Sequence, residues 1–276
     1  MEHTKQHTIG VFDSGFGGLT ILKEIILAAP EYSYIYLGDN ARAPYGTRSF
    51  ETVYEYTLQA IQKLFDLGCS LVIVACNTAS AKALRTIQQN DLPRIAPTKR
   101  VLGVIRPCSE QAQNFTKNNN LGIFATKGTV LSQSYEIEIR KFFPHITVTP
   151  HACPMWVPLV ENDEVNSDGA NYFIQKEINA LLTKNPHIDS VLLGCTHYPL
   201  LEKKIRELLP SHIQIINQGK IVAQSFIKYL ANHPEIEEQL EKQQQRTYYT
   251  TEKTDMFNTL GSKFLGEQIF AEHIKL

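Results

Sequence analysis

Two cysteines end matching apolar runs, Cys76 in LVIVACNTA (Leu71–Ala79) and Cys195 in SVLLGCTHY (Ser190–Tyr198). Branched apolar residues that give way to small polar ones read as buried strands leading into turns. In open parallel sheets, ligands bind outside the carboxyl ends of such strands. A thiol in that position, ahead of a helix whose first N–H groups favour negative charge, is expected to titrate below its free value of about 8.5. The following pairs, Asn77-Thr78 and Thr196-His197, are short polar residues suited to capping the next helix and to holding a carboxylate. Buried structural cysteine is the commoner fate of a single thiol, so it is the matched pair that points to chemistry.

A further cluster, DSGFGG (Asp13–Gly18), puts Asp13 and Ser14 at a strand end and supplies glycines for close backbone approach. It lacks the GxGxxG and GKS/T patterns, so a nucleotide loop is a weak reading. Asp13 near one thiol and His197 near the other make two acid/base clusters, one per half of the chain. One thiol with His197 and Asp13 would suggest a cysteine hydrolase or amidase, and a symmetric pair of halves could also close on an amino acid without reacting. Two thiols facing each other across a cleft allow something different. One thiolate can remove a proton from a tetrahedral carbon while the other thiol delivers one to the opposite face, and the product is the mirror image.

The elements that would position these groups are visible as short apolar runs: TIGVFDSG, YSYIYLGD, SLVIVACNT, RVLGVIRP, NLGIFATKG, HITVTP, DSVLLGCTH and IQIINQGK. Between them lie stretches such as ETVYEYTLQAIQKLFDLG with apolar residues at helical spacing, so the class is α/β with parallel sheets covered by helices. The polar run HPEIEEQLEKQQQRT reads as a solvated helix and loop before a strand-like TYYTT. IGVFDSGFGG (Ile9–Gly18) resembles LGIFATKGTV (Leu121–Val130), in the same order as the two cysteine segments, which suggests two similar halves. Pro93, Pro97 and Pro107 surround a candidate linker and IQIINQGK a return, giving domains 1–99 plus 214–276, and 100–213.

Composition narrows the partners. Of the 276 residues, 43% are hydrophobic and 20% charged, enough for one large core or two modest ones. Lys plus Arg number 27 against 28 Asp plus Glu, so no chain-wide field draws the protein to nucleic acid or anionic lipid, and substrate attraction must be local. No run of apolar residues is long enough to span a membrane, and MEHTKQHTIGVFDSG does not read as a signal peptide; a cytoplasmic protein is expected. Five cysteines at irregular spacing, without a CxxC pair, argue for free thiols and against a structural metal site.

Taken together, IGVFDSGFGGLT, LGDNARAPYGTRS, VIVACNTAS, ATKGTVLSQSY, CPMWVPLVE, VLLGCTHYPLL and YYTTEKTDMF, in that order over nearly the whole chain, resemble the glutamate racemases within the aspartate/glutamate racemase family. The resemblance implies two flavodoxin-like α/β domains related by a pseudo-twofold axis, with the active site at their interface. It implies a cofactor-independent isomerase interconverting L- and D-glutamate for peptidoglycan synthesis, as a monomer or homodimer. Cys76 would exchange the α-proton on the D face and Cys195 on the L face, assisted by Asp13 and His197 respectively, with Glu161 tuning the site. Ser14, Tyr45, Gly46, Asn77, Thr78 and Thr196 match substrate-binding positions, joined by Thr126 and Thr129. Cys108 and Asn217 depart from the family pattern.

Chemically, the α-hydrogen is a very weak acid, and apart from Lys127 no lysine lies in the strand-end clusters to form a pyridoxal-type electron sink. Stabilisation must then come from fixed donors around the α-carboxylate. Arg42 and Arg48 flank the APYGT loop, where they could screen the approach of an acidic substrate, although arginines beside loops are usually surface groups.

Overall fold

The computed structural model describes residues 7–276. All eight apolar runs form strands: β1 (Thr8–Asp13), β2 (Tyr34–Gly38), β3 (Cys69–Val74), β4 (Arg100–Gly103), β5 (Asn120–Ala125), β6 (Thr147–Ala152), β7 (Ser190–Gly194) and β8 (Gln214–Ile216). Two more follow, β9 (Arg246–Thr250) within the TYYTT segment and β10 (Ala271–His273), which the apolar pattern did not reveal because it is short and largely exposed. One sheet has the order β10-β9-β2-β1-β3-β4, the other β6-β5-β7-β8, and every pairing is parallel. Strands β1, β2 and β7 are buried along their whole length, as expected where helices cover both faces of a parallel sheet.

The repeat read from sequence has a topological counterpart. The order β2-β1-β3-β4 in one sheet matches β6-β5-β7-β8 in the other. The two similar segments in each half are the central strands, β1 with β5 and β3 with β7, and each cysteine follows the end of a corresponding strand. Sheet membership puts the crossings slightly later than the boundaries 100 and 214. Val101 pairs with Val72 and Leu102 with Ile73, so β4 completes the first sheet before the chain leaves it. Likewise β8 pairs with β7 through Ile215 and Ile216 before the chain returns. The physical reason is that each of these strands covers the exposed edge of a cysteine-bearing strand, which a boundary drawn at the prolines would leave open. Pro107 sits within the first turn of helix Ile105–Glu110, where its missing N–H is not needed.

At the seam a buried hydrogen-bonded network joins both crossings to both halves. Asn77 Nδ2 donates to Gln218 Oε1 at 2.7 Å, and the Tyr135 hydroxyl donates to Asn77 Oδ1 at 2.7 Å. Gln218 Nε2 donates to the Tyr135 oxygen and, at 3.6 Å, to the Cys108 sulfur. Each of these polar atoms is out of water and has a partner, so removing one member strands another. Replacing Gln218 by Leu is expected to destabilise the fold by about 1–3 kcal/mol, because the Asn77 Nδ2 N–H loses its acceptor and the Tyr135 oxygen its donor. Urea unfolding of the two proteins, with m-values compared, measures it, and an unchanged midpoint would refute the network's role.

Candidate active site

The first half contributes its groups from the end of β1 and the turn after β3. Asp13 is fully buried; Gly15 N–H donates to its Oδ2 at 2.9 Å and the Thr196 hydroxyl of the other half to its Oδ1 at 3.4 Å. Burial pushes the Asp13 carboxyl above its ordinary value, opposed by the positive charge of His197 and by the Gly15 amide. Ser14 Oγ lies 3.4 Å from Cys76 Sγ. Cys76 is itself the cap of helix Asn77–Lys82, its sulfur accepting from Ala79 N–H at 3.4 Å.

That geometry corrects the expected acidity of this thiol. Burial pushes Cys76 up to about 12, the Asp13 carboxylate adds to the shift, and the bonds from Ser14 and Ala79 offset only part of it. A six-residue helix gives a weak dipole, and one long N–H···S bond does not replace the hydration lost on burial. The expected capping roles differ too. Asn77 and Thr78 lie inside the first helical turn, and Cys195 is followed by a 3₁₀ turn at Tyr198–Leu201 instead of an α-helix start.

The second half contributes Cys195, Thr196 and His197 from beyond β7, and Glu161 from the end of helix Trp156–Glu161. That helix is pinned by the buried Trp156 ring, whose centroid is 4.8 Å from Phe124 and 4.9 Å from Tyr198. His197 Nδ1 is 4.0 Å from Cys195 Sγ and Nε2 is 3.0 Å from Glu161 Oε1. Burial by itself would lower the His197 imidazole, but its bonds to the Cys195 sulfur and the Glu161 carboxylate carry it up to about 10. The two thiols thus have opposite surroundings, a carboxylate and hydroxyl beside Cys76 and an imidazolium beside Cys195.

Both thiols line one cavity of about 200 Å³ between the halves. Ser14, Tyr45, Gly46, Asn77 and Thr78 line it from the first half, and Thr126, Glu161, Thr196 and His197 from the second. Two expected site residues do not reach it. Asp13 is sealed behind Ser14 and Thr196, and Thr129 lies behind Thr126, its N–H donating to the Thr126 hydroxyl at 3.2 Å. The Asn77 side chain is committed to the seam network, leaving one amide hydrogen and its backbone N–H for a ligand. The Tyr45 hydroxyl is turned away to donate to Asp39, so this residue presents its ring and backbone.

Asp39 was missed by sequence reasoning. Fully buried, it accepts from Tyr45, from Arg42 Nε at 2.7 Å and from the Thr251 hydroxyl at 2.9 Å, and so braces the Ala43–Thr47 wall. The available signal was a carboxylate directly after the apolar run YIYLG. Arg42 is spent on this brace and on the Tyr56 ring at 4.1 Å, so its expected role toward an acidic substrate is not supported. The apolar wall of Cys153, Pro154, Val157 and Pro158 also went unread as cavity lining.

The halves meet at atomic contact on both sides of the cavity. Gly128 N–H donates to Gly46 O at 2.8 Å, the Thr78 and Thr126 hydroxyls are 2.9 Å apart, and the Thr20 hydroxyl donates to Thr196 O at 3.0 Å. A Cβ at Gly17 would lie 2.2 Å from Thr196 Oγ1 and 2.5 Å from His197 Nδ1, so only glycine allows β1's loop to pass the second cluster.

Duplicated parallel sheets whose corresponding strands β3 and β7 lead into Cys76 and Cys195 at one shared cavity define the class as a two-domain α/β protein with a ligand-sized cleft between its halves. Its sequence matches the family model Asp/Glu/Hydantoin racemase over residues 14–226, and the chain belongs to that family. It is 38% identical to a glutamate racemase of Enterococcus faecalis over 99% of this chain and 97% of the relative. The structure of glutamate racemase isoform RacE1 from Bacillus anthracis superposes with a TM-score of 0.88 at 34% identity, covering 99% of this chain and 98% of that one. Glutamate racemase from Francisella tularensis, solved in complex with D-glutamate, gives 0.85 at 29% identity, covering 98% of each chain.

The raised His197 value has two consequences. Its folded value near 10 lies above the unfolded value of about 6.5, so this group's contribution to stability is complete below pH 6.5 and is lost as pH rises through 10. NMR titration of the ring is expected to show imidazolium persisting at pH 8, and Glu161→Gln is expected to lower its midpoint. A midpoint near 6.5 in the parent protein would contradict the charged dyad.

Proposed function

We propose that this protein interconverts L- and D-glutamate by two-base proton transfer without an organic cofactor. The observation that carries the reading is the pair of thiols lining one cavity from equivalent strands of two facing halves. Glutamate as substrate is supported by relatives named glutamate racemase at 34–38% identity over nearly their full lengths. A cavity of about 200 Å³ suits an amino acid better than a drug-sized or nucleotide ligand, for which roughly 300–1,000 Å³ is usual.

In the L-to-D direction, Cys195 as thiolate takes the α-hydrogen and the neutral Cys76 thiol returns one to the opposite face. The electron pair left on carbon delocalises into the α-carboxylate. Backbone N–H groups at the start of helix Asn77–Lys82, with the Thr78 hydroxyl, would bind the resulting enediolate charge. Losing one such donor costs on the order of 3 kcal/mol, roughly a hundredfold in rate. In the reverse direction Cys76 must be the thiolate. Setting the site for that direction moves one proton off Cys76 and one onto Cys195: Asp13, whose negative charge raises Cys76 and whose own carboxyl is raised by burial, would take the first, and the His197 imidazolium beside the Cys195 sulfur would give the second. The buried thiols and wall residues limit the water that competes for the intermediate.

The five cysteines are all free and buried, which suits the reducing cytoplasm where the reaction would supply D-glutamate for peptidoglycan. Among the described residues no helix is long and apolar enough to cross a membrane.

In deuterium oxide, either glutamate enantiomer is expected to give its mirror image with deuterium at the α-carbon and no added cofactor. Ammonia release or hydrolysis would favour a single-thiol amidase, and binding without exchange a passive binding protein. Cys76→Ser and Cys195→Ser are each expected to lower turnover by about a thousandfold, within the usual range for loss of a general acid or base, while D-glutamate still binds. Near-full turnover by either variant would remove that sulfur from the mechanism. Gly17→Ala, which displaces Thr196 and His197, is expected to cost about a hundredfold in kcat/KM, as small misplacements of reacting groups do.

A further inference from the structure

Lys127 lines one edge of the cavity, and two further cations, Lys82 and Arg48, come from the chain beside that edge. Lys127, in the first turn of helix Lys127–Leu131, lines the cavity and is exposed. From the first half, Lys82 Nζ donates to the Arg48 carbonyl oxygen at 2.5 Å and sits 4.8 Å from the centre of the Phe50 ring. It also lies at the seam, because a Cβ at Gly128 would come within 3.1 Å of it. Arg48 follows Thr47 of the cavity wall, and its guanidinium donates to the Arg42 carbonyl at 3.4 Å. Among the described residues none of these three cations has a carboxylate partner. The site's own carboxylates are engaged elsewhere, Glu161 with His197 and Asp13 sealed behind the wall. Burial lowers the Lys82 ammonium below its ordinary value, the mark of a charge held partly away from water without an anion to compensate it.

We propose that Lys82, Arg48 and Lys127 form a cationic gate that captures the side-chain carboxylate of the substrate and favours dicarboxylic over neutral amino acids. The proposal rests on the glutamate reading and deepens it. In a chain with 27 basic and 28 acidic side chains, a local cluster of one sign beside a low-dielectric cleft is what can concentrate an anion at its mouth. The attraction acts on entry and binding, and is screened by salt.

The test compares the parent with Lys127→Met, Lys82→Met/Lys127→Met and the remote control Lys203→Met, following α-hydrogen exchange of glutamate and glutamine. The double variant is expected to lose about tenfold in kcat/KM for glutamate, at the low end of electrostatic steering, mostly through KM. Its dependence on salt between about 0.02 and 0.5 M is expected to flatten, since that range takes the screening length from well above to below the size of the gate. The ratio of glutamate to glutamine kcat/KM should fall in parallel, and Lys203→Met should change none of these. Values for the double variant within twofold of the parent, or an unchanged salt slope, overturn the gate and leave the racemase reading intact. If the parent shows no exchange at all, the racemase reading fails, and NMR titration with D-glutamate at the two salt concentrations still decides the gate. Lys127→Met alone, at an exposed position, guards against a folding defect from the buried part of Lys82.

Discussion

The site depends on holding ionisable groups out of water at a seam. Asp13, Cys76 and His197 are all buried where the two halves meet, and each is displaced from its ordinary acidity by what replaces water around it. Desolvation raises the thiol and the carboxyl. For the imidazole it is overcome, because a carboxylate and a sulfur lie against both ring nitrogens. None of these values survives separation of the halves, since Thr196 reaches Asp13 and Gly17 lies against His197 only while the cavity is closed.

The duplicated fold makes this arrangement economical. Corresponding strands β3 and β7 lead into one sulfur each at the same cavity, so the backbone supplies a near-symmetric frame around that cavity. The proposed proton transfer nevertheless requires the two sulfurs to differ at any instant, one charged and one protonated. The sequence breaks the symmetry locally, with Ser14 and Asp13 beside Cys76 and with His197 and Glu161 beside Cys195. Scaffold symmetry and electrostatic asymmetry are therefore separate properties, one fixed by strand order and the other by a few side chains.

Closure has its own structural basis. Gln218, on the helix that carries the chain back, and Tyr135, in the second half, fix the Asn77 side chain, so the helix start that faces the ligand is tied to the same hydrogen bonds that join the halves. Gly46 and Gly128 make the opposite contact through backbone atoms alone. The absence of side chains there is a packing requirement, since a Cβ at Gly128 would meet the Gly46 oxygen at 2.9 Å.

Much of this was legible in one dimension. Strands buried on both faces must be continuously apolar, so eight of them, the parallel α/β class and the paired cysteines could be read directly from hydrophobic runs and their endings. Strand β10 could not, because a short exposed edge strand carries no such pattern, and the crossings fell a strand late because edge pairing is a tertiary choice. Residue type alone identified Cys76, Cys195, His197 and Asp13 as candidates. Only the folded chain decided that Asp13 and Thr129 stand behind the cavity wall, that Arg42 is consumed by Asp39, and that the Cys76 thiol is raised instead of lowered. Hydrophobic periodicity is a local property of the chain, whereas desolvation and charge pairing depend on which distant residues displace water from a group, and sequence order does not encode that separately from the fold.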